Sequence, residues 1–490
     1  MFKKITLTIL CFITYSVSAI NLPIHDFSLK PYSQNIEDFF PPNSSDYPQP
    51  LVNEEFQKQQ LKRFYNHYFA SDSQSLSPWG ENLVRAVLPI VKNLELENLQ
   101  SFNNKNKANS ERHYAENFKE QSQKWWSKLK YSMNLDSLQS LDYKAENRAI
   151  AVNNSFARGL PDSAPDFFHV SLPGQGFPFD NLQESAIWAG TPLYVITTTR
   201  DRAWSLVLTP DAYFDWIKSS DLAYASPEFI SQWQQAAKKN LVAIAKTDAP
   251  LFNREQDYIL STFIGSVFPL KLRAKEEFFI LVPAKDEQAQ AFAKVARVSA
   301  DAAVLMPLVA SPKNFSAIIK QLINRPYGWG GAFFFNDCSQ ELKSLFTPFG
   351  IWLPRNSRGQ SELKPSLDLS HADINERLAV LKSKGHPLMT LVYIGGHVFL
   401  YLGEKNQMAI SYQNVWGLSP ANRDKRYVIG QSVLLPIVKS FQENSEIDSQ
   451  ANRNFFKMVF LDELTATPET PREYLRLLSE QPDYPQDLRN

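Results

Sequence analysis

The sequence has little cysteine, no excess of either charge and few glycines. Its 490 residues include 2 Cys and 17 Gly against 31 Pro, and the 51 basic residues balance the 51 acidic ones. A neutral chain is a poor ligand for nucleic acid or for an anionic membrane surface, so neither is expected as a partner. The 34 Phe, 19 Tyr and 10 Trp supply large side chains for real cores, and the length allows two to four domains.

Long apolar runs are also absent, apart from a short one near the start of the chain. Residues 1–19 carry two lysines, this apolar run and then small residues ending at Ala19, which is the pattern of a cleaved signal peptide. We therefore expect an exported protein, periplasmic or secreted. No later stretch reaches the roughly 18 apolar residues of a membrane-spanning helix.

Because cysteine is so scarce, each of the two residues matters. Cys11 lies inside the apolar run and is expected to leave with the signal peptide, so Cys338 becomes the single cysteine of the mature chain. Exported proteins usually hold their structural cysteines in pairs. An unpaired Cys338 is then either a buried inert thiol or a nucleophile, and the surrounding residues distinguish these two interpretations.

Two kinds of pattern precede this cysteine. Helical spacing of apolar residues runs through residues 53–131, and short strands with turn signals follow between residues 149 and 225 and again after residue 246. Small β-barrels of the SH3 type have such strands, and a helix over residues 229–246 is predicted to connect two of them. Their aromatic residues indicate either binding surfaces or core packing.

Histidine supplies no metal site in this reading. His67 and His113 fall in and after the predicted helices, and no cysteine, aspartate or second histidine stands near them at ligand spacing. The sequence therefore predicts neither a metal nor another cofactor.

The stretch around Cys338 predicts a reactive position. Residues 327–339 read YGWGGAFFFNDCS, and a helical pattern begins at Cys338 with Asp337 as its N-cap. Apolar residues follow Cys338 at spacings of four and three, which places the thiol on the packed side of the helix start. There the free backbone N–H groups and the helix dipole favour the thiolate over the thiol.

A base for this thiol is predicted on a strand. Residues 386–417 read as three antiparallel strands, with His397 on the middle one. If the second turn is centred eight residues after His397, Gln413 lies opposite and its amide oxygen can accept the imidazole N–H. A slip of the register by one residue would substitute Tyr412 or Asn414. A lone strand histidine is more often structural, and only the unpaired cysteine favours a catalytic interpretation.

Six motifs in chain order extend this pattern over most of the chain, from Asn53 to about Gly417. They are RGLP at 158–161, FPFDNLQES at 177–185, YGWGG at 327–331, DCS at 337–339, LPRNSRGQ at 353–360 and GGHVFLYLG at 395–403. Together they resemble the NlpC-type papain-like cysteine peptidases that cut bacterial cell-wall peptides, in the branch with two SH3-like domains and a helical N-terminal stabilising domain. YGWGG with DCS and GHVFLYLG is a specific combination, whereas the SH3-like motifs are weaker.

The resemblance implies an α+β multidomain fold with a helical N-terminal domain, two small SH3-like β-barrels and a C-terminal papain-like α+β peptidase domain. On this basis we divide the chain into seven segments. These are a signal peptide (1–19), an extended leader (20–52), the helical domain (53–150), the first SH3-like domain (151–228), the second SH3-like domain with its connecting helix (229–312), the peptidase domain (313–465) and a C-terminal tail (466–490).

The resemblance also implies a cysteine endopeptidase. Cys338 would be the nucleophile and His397 the general base. Gln413 would be the third polar residue, in a position where the family more often has histidine. The bond cleaved would join γ-D-glutamate to a diamino acid such as meso-diaminopimelate.

The implied partners are peptidoglycan or muropeptides that carry a free L-Ala amine. By the same resemblance, Asp337 and Ser339 would help to hold this amine, and Tyr327 and Trp329 would line the same end of the groove. Relatives use residues of the first SH3-like domain there as well, which no motif identifies. The chain is expected to act as a monomer.

Some positions depart from the family pattern or have two interpretations. Gln340 stands where a small residue commonly follows DCS, and Asn336 stands where the family often has arginine. Arg355, Asn356 and Gln360 belong to a motif associated with the fold and are either a loop staple or a substrate contact.

Two other functions are compatible with the sequence. One is a non-catalytic peptidoglycan-binding protein that uses the SH3-like pair, for which the replacement at Gln413 is the best argument. The other is an exported amidase or acyltransferase on the same scaffold.

Overall fold

The computed structural model describes residues 22–211 and 213–465. The predicted signal peptide with Cys11 and the predicted tail at 466–490 lie outside the described residues. Three seven-stranded sheets and eight α-helices organise the described ranges. No helix within them is long and apolar enough to cross a lipid bilayer.

The described chain begins with one short strand and three helices. They are β1 (Ile24–Asp26), α1 (Glu54–Tyr68), α2 (Glu81–Ser101) and α3 (Gln123–Ser132). Asn53 and Ser122 cap α1 and α3, because their side-chain oxygens accept hydrogen bonds from free N–H groups of the first turns. The apolar faces of the helices pack into one core with the sheet that follows, where the indole of Trp79 donates to the carbonyl of Ala149 at 2.8 Å.

The first sheet is antiparallel and short-stranded. Its strands are β2 (Arg148–Ala151), β3 (Ser155–Arg158), β4 (Gln183–Ile187), β5 (Pro192–Thr198), β6 (Trp204–Leu208), β7 (Phe214–Lys218) and β8 (Leu222–Tyr224). They lie in the order β4-β3-β7-β6-β5-β2-β8. We refer to this unit as the first barrel.

A single helix, α4 (Pro227–Lys239), leads to the second sheet. The strands that follow are β9 (Leu241–Ile244), β10 (Ala249–Phe252), β11 (Tyr258–Thr262), β12 (Val267–Arg273), β13 (Glu277–Lys285), β14 (Ala291–Ser299) and β15 (Ala303–Leu305). The predicted helix over 229–246 was therefore too long. Asn240 is already extended, and the four apolar residues of β9 are fully buried between β12 and β15, where sheet pairing outweighs helix propensity.

The third unit combines helices with a sheet. Its elements are α5 (Pro312–Leu322), α6 (Cys338–Phe346), α7 (Ser357–Ser361), β16 (Ser366–Asp368), α8 (Ile374–Lys384), β17 (Thr390–Tyr393), β18 (Val398–Lys405), β19 (Met408–Leu418), β20 (Arg426–Ile437) and β21 (Lys457–Phe460). The sheet order is β1-β20-β19-β18-β17-β21-β16. Strand β21 pairs with β17 and β16.

The predicted leader segment packs against this third unit. β1 runs parallel to β20, Ile36 is 1% exposed within the core of α5 and α6, and the Leu51 amide donates to the carbonyl of Ala310 at 2.7 Å. Beyond the three-residue strand β1 the segment consists mainly of turns and loops, and its apolar residues complete the core of the third unit.

Candidate active site

Helix α6 carries Cys338 at its first position, and all nine of its residues are buried. Its apolar side chains join the core beneath the third sheet. Its charged residues have partners there: Glu341 accepts hydrogen bonds from Ser432 (2.5 Å), Asn336 (2.7 Å) and Tyr412, and Lys343 pairs with Asp211 of the first barrel at 2.6 Å. The helix is thus fixed from the sheet and from the first barrel at once.

The loop before α6 lies directly on strand β4. Gly330 and Gly331 have φ of +57° and +80°, and a Cβ atom on Gly330 would lie 2.2 Å from the carbonyl oxygen of Gln183. The side-chain amide of Gln183 in turn donates to the carbonyl of Gly330 at 2.9 Å. The YGWGG motif therefore needs glycine at this point because no side chain fits between the loop and the first barrel.

The Cys338 thiol is nearly enclosed, with 8% of the residue exposed. Burial, followed by the negative charge of Asp337, raises the pKa of this thiol to about 12, and the opposing effect of the backbone N–H groups of Val398 and Ser339 is smaller. The predicted thiolate-favouring effect of the helix start is therefore outweighed in this structure, because loss of solvent disfavours the charged form more than the helix end favours it. The resting group is a neutral thiol.

His397 lies immediately before β18, and the backbone N–H of the first residue of this strand, Val398, lowers the pKa of Cys338. The imidazole Nε2–H donates to Oε1 of Gln413 at 2.8 Å. Burial lowers the pKa of His397 to about 4, with a further lowering by the positive charge of Arg453 and an opposing effect of the Gln413 hydrogen bond. His397 is therefore neutral at physiological pH, and its Nδ1 carries the free lone pair.

The side chain of Gln413 is fully buried and held in one orientation. Its Nε2 donates to Oγ of Ser411 at 2.8 Å, and that hydroxyl donates to the carbonyl of Leu435 at 2.8 Å. Gln450 pairs with the same amide through two reciprocal hydrogen bonds of 2.8 and 3.1 Å. Since the Ser411 hydroxyl has given its proton to Leu435, it can only accept from Gln413, so Oε1 must face His397.

Asp337 and Ser339, predicted to contact substrate, are tied together by Arg355. The guanidinium forms a two-pronged ion pair with Asp337 at 2.7 and 3.1 Å, donates to Oγ of Ser339 at 3.0 Å and donates to Oγ of Ser185 at 2.8 Å. Oδ1 of Asp337 also accepts from the backbone N–H of Gln340 and so caps α6. Of the bonds described here, Oδ2 takes part only in the one from Arg355. Arg355 is therefore a staple between the peptidase unit and the first barrel, and Asp337 keeps acceptor capacity at Oδ2.

The remaining predicted residues lie around this centre. The hydroxyl of Tyr327 is close enough to Cys338 and Asp337 for their charges to raise its pKa, after burial, so it stays protonated. Trp329 packs edge-on against Phe179 at 5.3 Å. Of the register alternatives, Tyr412 bonds to Glu341 and Asn414 donates to the carbonyl of Asn336, so neither takes the place of Gln413.

Sequence reasoning did not identify Glu184 or Gln450. Glu184 lies on β4, its backbone carbonyl accepts from Arg355 at 3.2 Å, and the residue as a whole is half-buried. Burial raises the pKa of Glu184 to about 7, which the charges of Arg355 and Arg158 partly offset. The FPFDNLQES motif contains Glu184 without revealing its role, and no local pattern marks Gln450.

No three side chains of the His, Cys, Asp or Glu types converge as metal ligands in residues 22–211 and 213–465.

The Cys338 thiol thus lies at the start of a buried helix, and the imidazole of His397 donates to the amide of Gln413 on the neighbouring antiparallel sheet. A solved NlpC/P60 endopeptidase from Photobacterium damselae subsp. piscicida matches with a TM-score of 0.74 at 27% sequence identity, covering 91% of this chain and 99% of that chain. An NlpC/P60 family protein from Bacillus cereus matches with a TM-score of 0.41 at 15% identity, covering 62% of this chain and 98% of that chain.

The family model for the SH3 domain (SH3b1 type) matches residues 165–231, within the first barrel and α4. Comparison with curated protein sequences gives no match. The structural neighbours are NlpC/P60 endopeptidases, so the predicted resemblance and the predicted α+β multidomain fold class are confirmed. Together the two findings support a cysteine peptidase of the peptidoglycan hydrolase kind.

Proposed function

We propose that this protein is an exported cysteine endopeptidase, periplasmic or secreted, that hydrolyses the bond between γ-D-glutamate and meso-diaminopimelate in cell-wall peptides. The observation that carries the proposal is the joint placement of Cys338, His397 and Gln413, with Oε1 of Gln413 fixed on the imidazole. We take residues 313–465 as the peptidase domain and 151–228 and 229–312 as the two SH3-like domains.

The reaction begins from a neutral thiol and a neutral imidazole. As the Cys338 sulfur attacks the γ-glutamyl carbonyl carbon, its proton passes to Nδ1 of His397, and the imidazolium is stabilised by Oε1 of Gln413. The imidazolium then protonates the leaving amine, and the carbon–nitrogen bond breaks to leave a thioester. His397 removes a proton from water as the water oxygen attacks the thioester carbon. The carbon–sulfur bond then breaks, the imidazolium returns the proton to the Cys338 sulfur, and the L-Ala-γ-D-Glu acid is released.

The oxyanion of each tetrahedral intermediate needs donors near the sulfur. The backbone N–H of Cys338 belongs to the first turn of α6, where N–H groups lack partners within the helix. The protonated hydroxyl of Tyr327 is a second donor in this proposal, since its pKa responds to the charge on Cys338.

The free L-Ala amine of the substrate would bind at the opposite end, near Arg355. Oδ2 of Asp337 accepts from that guanidinium, and the carboxyl of Glu184 is near enough for the charge of Arg355 to lower its pKa. An ammonium group there would balance two carboxylates that share one arginine, and it would favour the ionised form of Glu184. The first barrel thereby contributes to the substrate site itself, which argues against a role confined to wall binding.

Mass spectrometry of L-Ala-γ-D-Glu-meso-diaminopimelate incubated with the mature protein tests the proposal. We expect release of free diaminopimelate by the wild type and none by Cys338→Ala. Purified peptidoglycan and muropeptides serve as further substrates. If none of these compounds is cut, the endopeptidase proposal is wrong and the non-catalytic wall-binding alternative is favoured.

The amine site has its own test. The tripeptide with an N-acetylated L-Ala should be cut much more slowly than the free tripeptide, by about 10- to 100-fold, because a charge-assisted bond is lost. Glu184→Gln should reduce the difference in cleavage rate between the free and acetylated peptides. The control variant Glu116→Gln, at an exposed position of the α2–α3 loop, should leave this difference unchanged. Equal cleavage of the free and acetylated peptides by the wild type would rule out the amine site.

A further inference from the structure

Three arginines gather beside the proposed active site, on a side that the mechanism above does not use. Arg426 begins β20 and is 8% exposed, Arg453 follows the turn that carries Gln450, and Arg423 lies in the loop before β20. We call Arg426 and Arg453, the two whose hydrogen bonds are described below, the arginine pair. Burial of like charges is costly unless an anion compensates them.

Arg426 has no carboxylate partner within the described ranges. Its Nη1 donates only to the carbonyls of Arg423 and Lys425, at 3.2 and 3.0 Å. Burial, followed by the positive charges of Arg453 and Arg423, lowers its pKa to about 10, so it remains a cation at neutral pH. A guanidinium has five N–H donors, and those on Nε and Nη2 are left for a ligand.

Arg453 is only weakly compensated. Its Nη2 donates to Oγ of Ser419 at 2.8 Å, and its Nη1 lies 3.8 Å from Oδ2 of Asp448. One carboxylate at that separation leaves the arginine pair with excess positive charge. Both side chains sit in partly water-excluded surroundings, where such an excess attracts anions strongly.

Gly174 and a group of aromatic rings surround Arg426. A Cβ on Gly174 of the first barrel would lie 2.9 Å from Nε of Arg426 and 3.4 Å from the ring of Trp416. Trp416 packs edge-on against Phe179 at 4.7 Å, and Phe179 packs edge-on against Trp329 of the YGWGG motif. One aromatic wall therefore runs from the loop before Cys338 to the arginine pair.

The position of Arg453 links the arginine pair to the leaving-group side of the reaction. Gln450 bonds to Gln413, the hydrogen-bond partner of His397, and Arg453 closes the same short turn. Arg377 holds that turn by donating to the carbonyls of Ala451 (2.9 Å) and Arg453 (2.6 Å). In the proposed reaction His397 protonates the departing amine, whereas the L-Ala end lies at Arg355, so the diamino acid leaves past His397 towards Arg453.

We propose that Arg426 and Arg453 form an anion subsite that binds the carboxylates of the departing diamino acid. This inference rests on the proposed endopeptidase function. Diaminopimelate carries a second carboxylate that lysine lacks. Two guanidinium groups can each donate hydrogen bonds to one carboxylate. The arginine pair would therefore select a doubly carboxylated diamino acid.

The test compares two peptides that differ in one charge. One is L-Ala-γ-D-Glu-meso-diaminopimelate, and the other has the side-chain carboxylate of diaminopimelate amidated. We expect the wild type to cut the acidic peptide with a kcat/KM about 10- to 100-fold higher, which is the loss expected for one charge-assisted bond. Equal cleavage of the two peptides by the wild type would overturn the subsite.

Variants then locate the effect. Arg426→Gln and Arg453→Gln should each lower kcat/KM for the acidic peptide about 10- to 100-fold and slow the amidated peptide much less, which also reports that each variant is folded. Arg426→Lys should retain part of the preference, and the exposed Arg254→Gln should retain all of it. Equal losses on both peptides would assign the arginines a structural role and contradict the proposal.

The subsite and the proposed function can fail separately. If the wild type cuts neither peptide, the endopeptidase proposal fails. The anion subsite is then tested by measuring peptide binding. Isothermal titration of the acidic and amidated peptides into Cys338→Ala, with and without Arg426→Gln, should then show tighter binding of the acidic peptide only while Arg426 is present. No preference in that titration would refute the subsite too.

Discussion

Gln413 orients His397 without sharing its charge. A glutamine accepts the Nε2–H of His397 as an acidic residue would, but it adds no negative charge to stabilise the imidazolium, and the pKa of His397 falls to about 4. Ser411 and Gln450 hold the amide so that its oxygen, and not its nitrogen, meets the ring. The Gln413 amide thus gives the imidazole the fixed orientation that the proposed general base requires.

Loss of the Gln413 amide should slow the reaction more than it weakens substrate binding. We expect Gln413→Ala to lower kcat about 10- to 100-fold with little change in KM, because the imidazole loses its fixed tautomer. Gln235→Ala, on the exposed face of α4, is the matched control. A variant that keeps full kcat would exclude Gln413 from the catalytic machinery.

The pH profile should report the charge near His397. Since burial and Arg453 lower the pKa of His397 to about 4, the imidazole is a neutral base above that pH, and kcat/KM should rise through about pH 4. A second rise near pH 7 is expected from ionisation of Glu184 at the proposed amine site, and Glu184→Gln should remove it. Arg453→Gln removes a positive charge, so it should raise the pKa and move the acid limb to higher pH. A limb that stays in place, measured with the amidated peptide, would contradict this electrostatic coupling.

The local surroundings of the two proposed catalytic side chains could be predicted from the sequence, but not their ionisation. Asp337 caps α6 as expected, since an N-cap is a short-range pattern. The pKa of Cys338 was expected to fall and instead rises, because burial depends on residues that pack from distant parts of the chain.

Among the secondary-structure elements, the β18–β19 hairpin sets the distance between His397 and Gln413. The turn was expected near Lys405, but the hairpin tip is Asn406–Gln407, both with positive φ, and the register shifts again between Tyr401 and Gly403. Continuing the pairing from Leu400 and Tyr412 places Gln413 across from Phe399. Gln413 therefore lies opposite a residue two positions after His397. Because a displacement by two keeps both side chains on the same face of the sheet, the diagonal hydrogen bond between His397 and Gln413 still forms.

The glycine loop before α6 should be sensitive to a single methyl group. We expect Gly330→Ala to displace the loop from β4, because the new Cβ would meet the Gln183 carbonyl, and to lower kcat/KM about 10- to 100-fold through misplacement of the site. Gly430→Ala has a similar backbone strain at φ +68° but its nearest neighbour is 3.6 Å away. If both variants behave alike, backbone strain rather than the close approach explains the loss.

Across the whole molecule, buried polar groups join units that the sequence shows only separately. Lys343 of α6 pairs with Asp211 of the first barrel, and Arg355 bonds to Ser185 and Asp337 on two units. Helical and strand periodicity predicted the order of the units, since these are local signals. The roles of Glu184, Gln450 and Arg426 could not be predicted, because each depends on contacts far apart in the chain.

Stability should fall as the pH rises, in part because of one carboxyl between the helices and the first barrel. Glu95 of α2 is 2% exposed, accepts from the indole of Trp216 at 2.9 Å and has its pKa raised by burial from 4.5 to about 8. The folded protein therefore holds a proton that the unfolded chain releases above about pH 4.5. The resulting stabilisation is complete below that pH and is lost as the pH rises towards 8.

Glu95→Gln should remove this part of the pH dependence while keeping an acceptor for Trp216. We expect the variant to be more stable than the wild type at pH 8 by about 2 to 4 kcal/mol and similar to it near pH 4.5. Denaturant unfolding between pH 4.5 and 8 measures the difference, with the exposed Glu97→Gln as the control on the same helix. Parallel stability curves for wild type and Glu95→Gln would show that Glu95 is ionised in the folded state.

The measurement that tests the central proposal most directly is intact-protein mass spectrometry of the reaction quenched in acid within the first turnovers. The proposed mechanism predicts a mass increase equal to an L-Ala-γ-D-Glu acyl group, mapped to Cys338, removed by hydroxylamine and absent from Cys338→Ala. Release of diaminopimelate by Cys338→Ala, or an acyl group on any other residue, would contradict the assignment of Cys338 as the nucleophile.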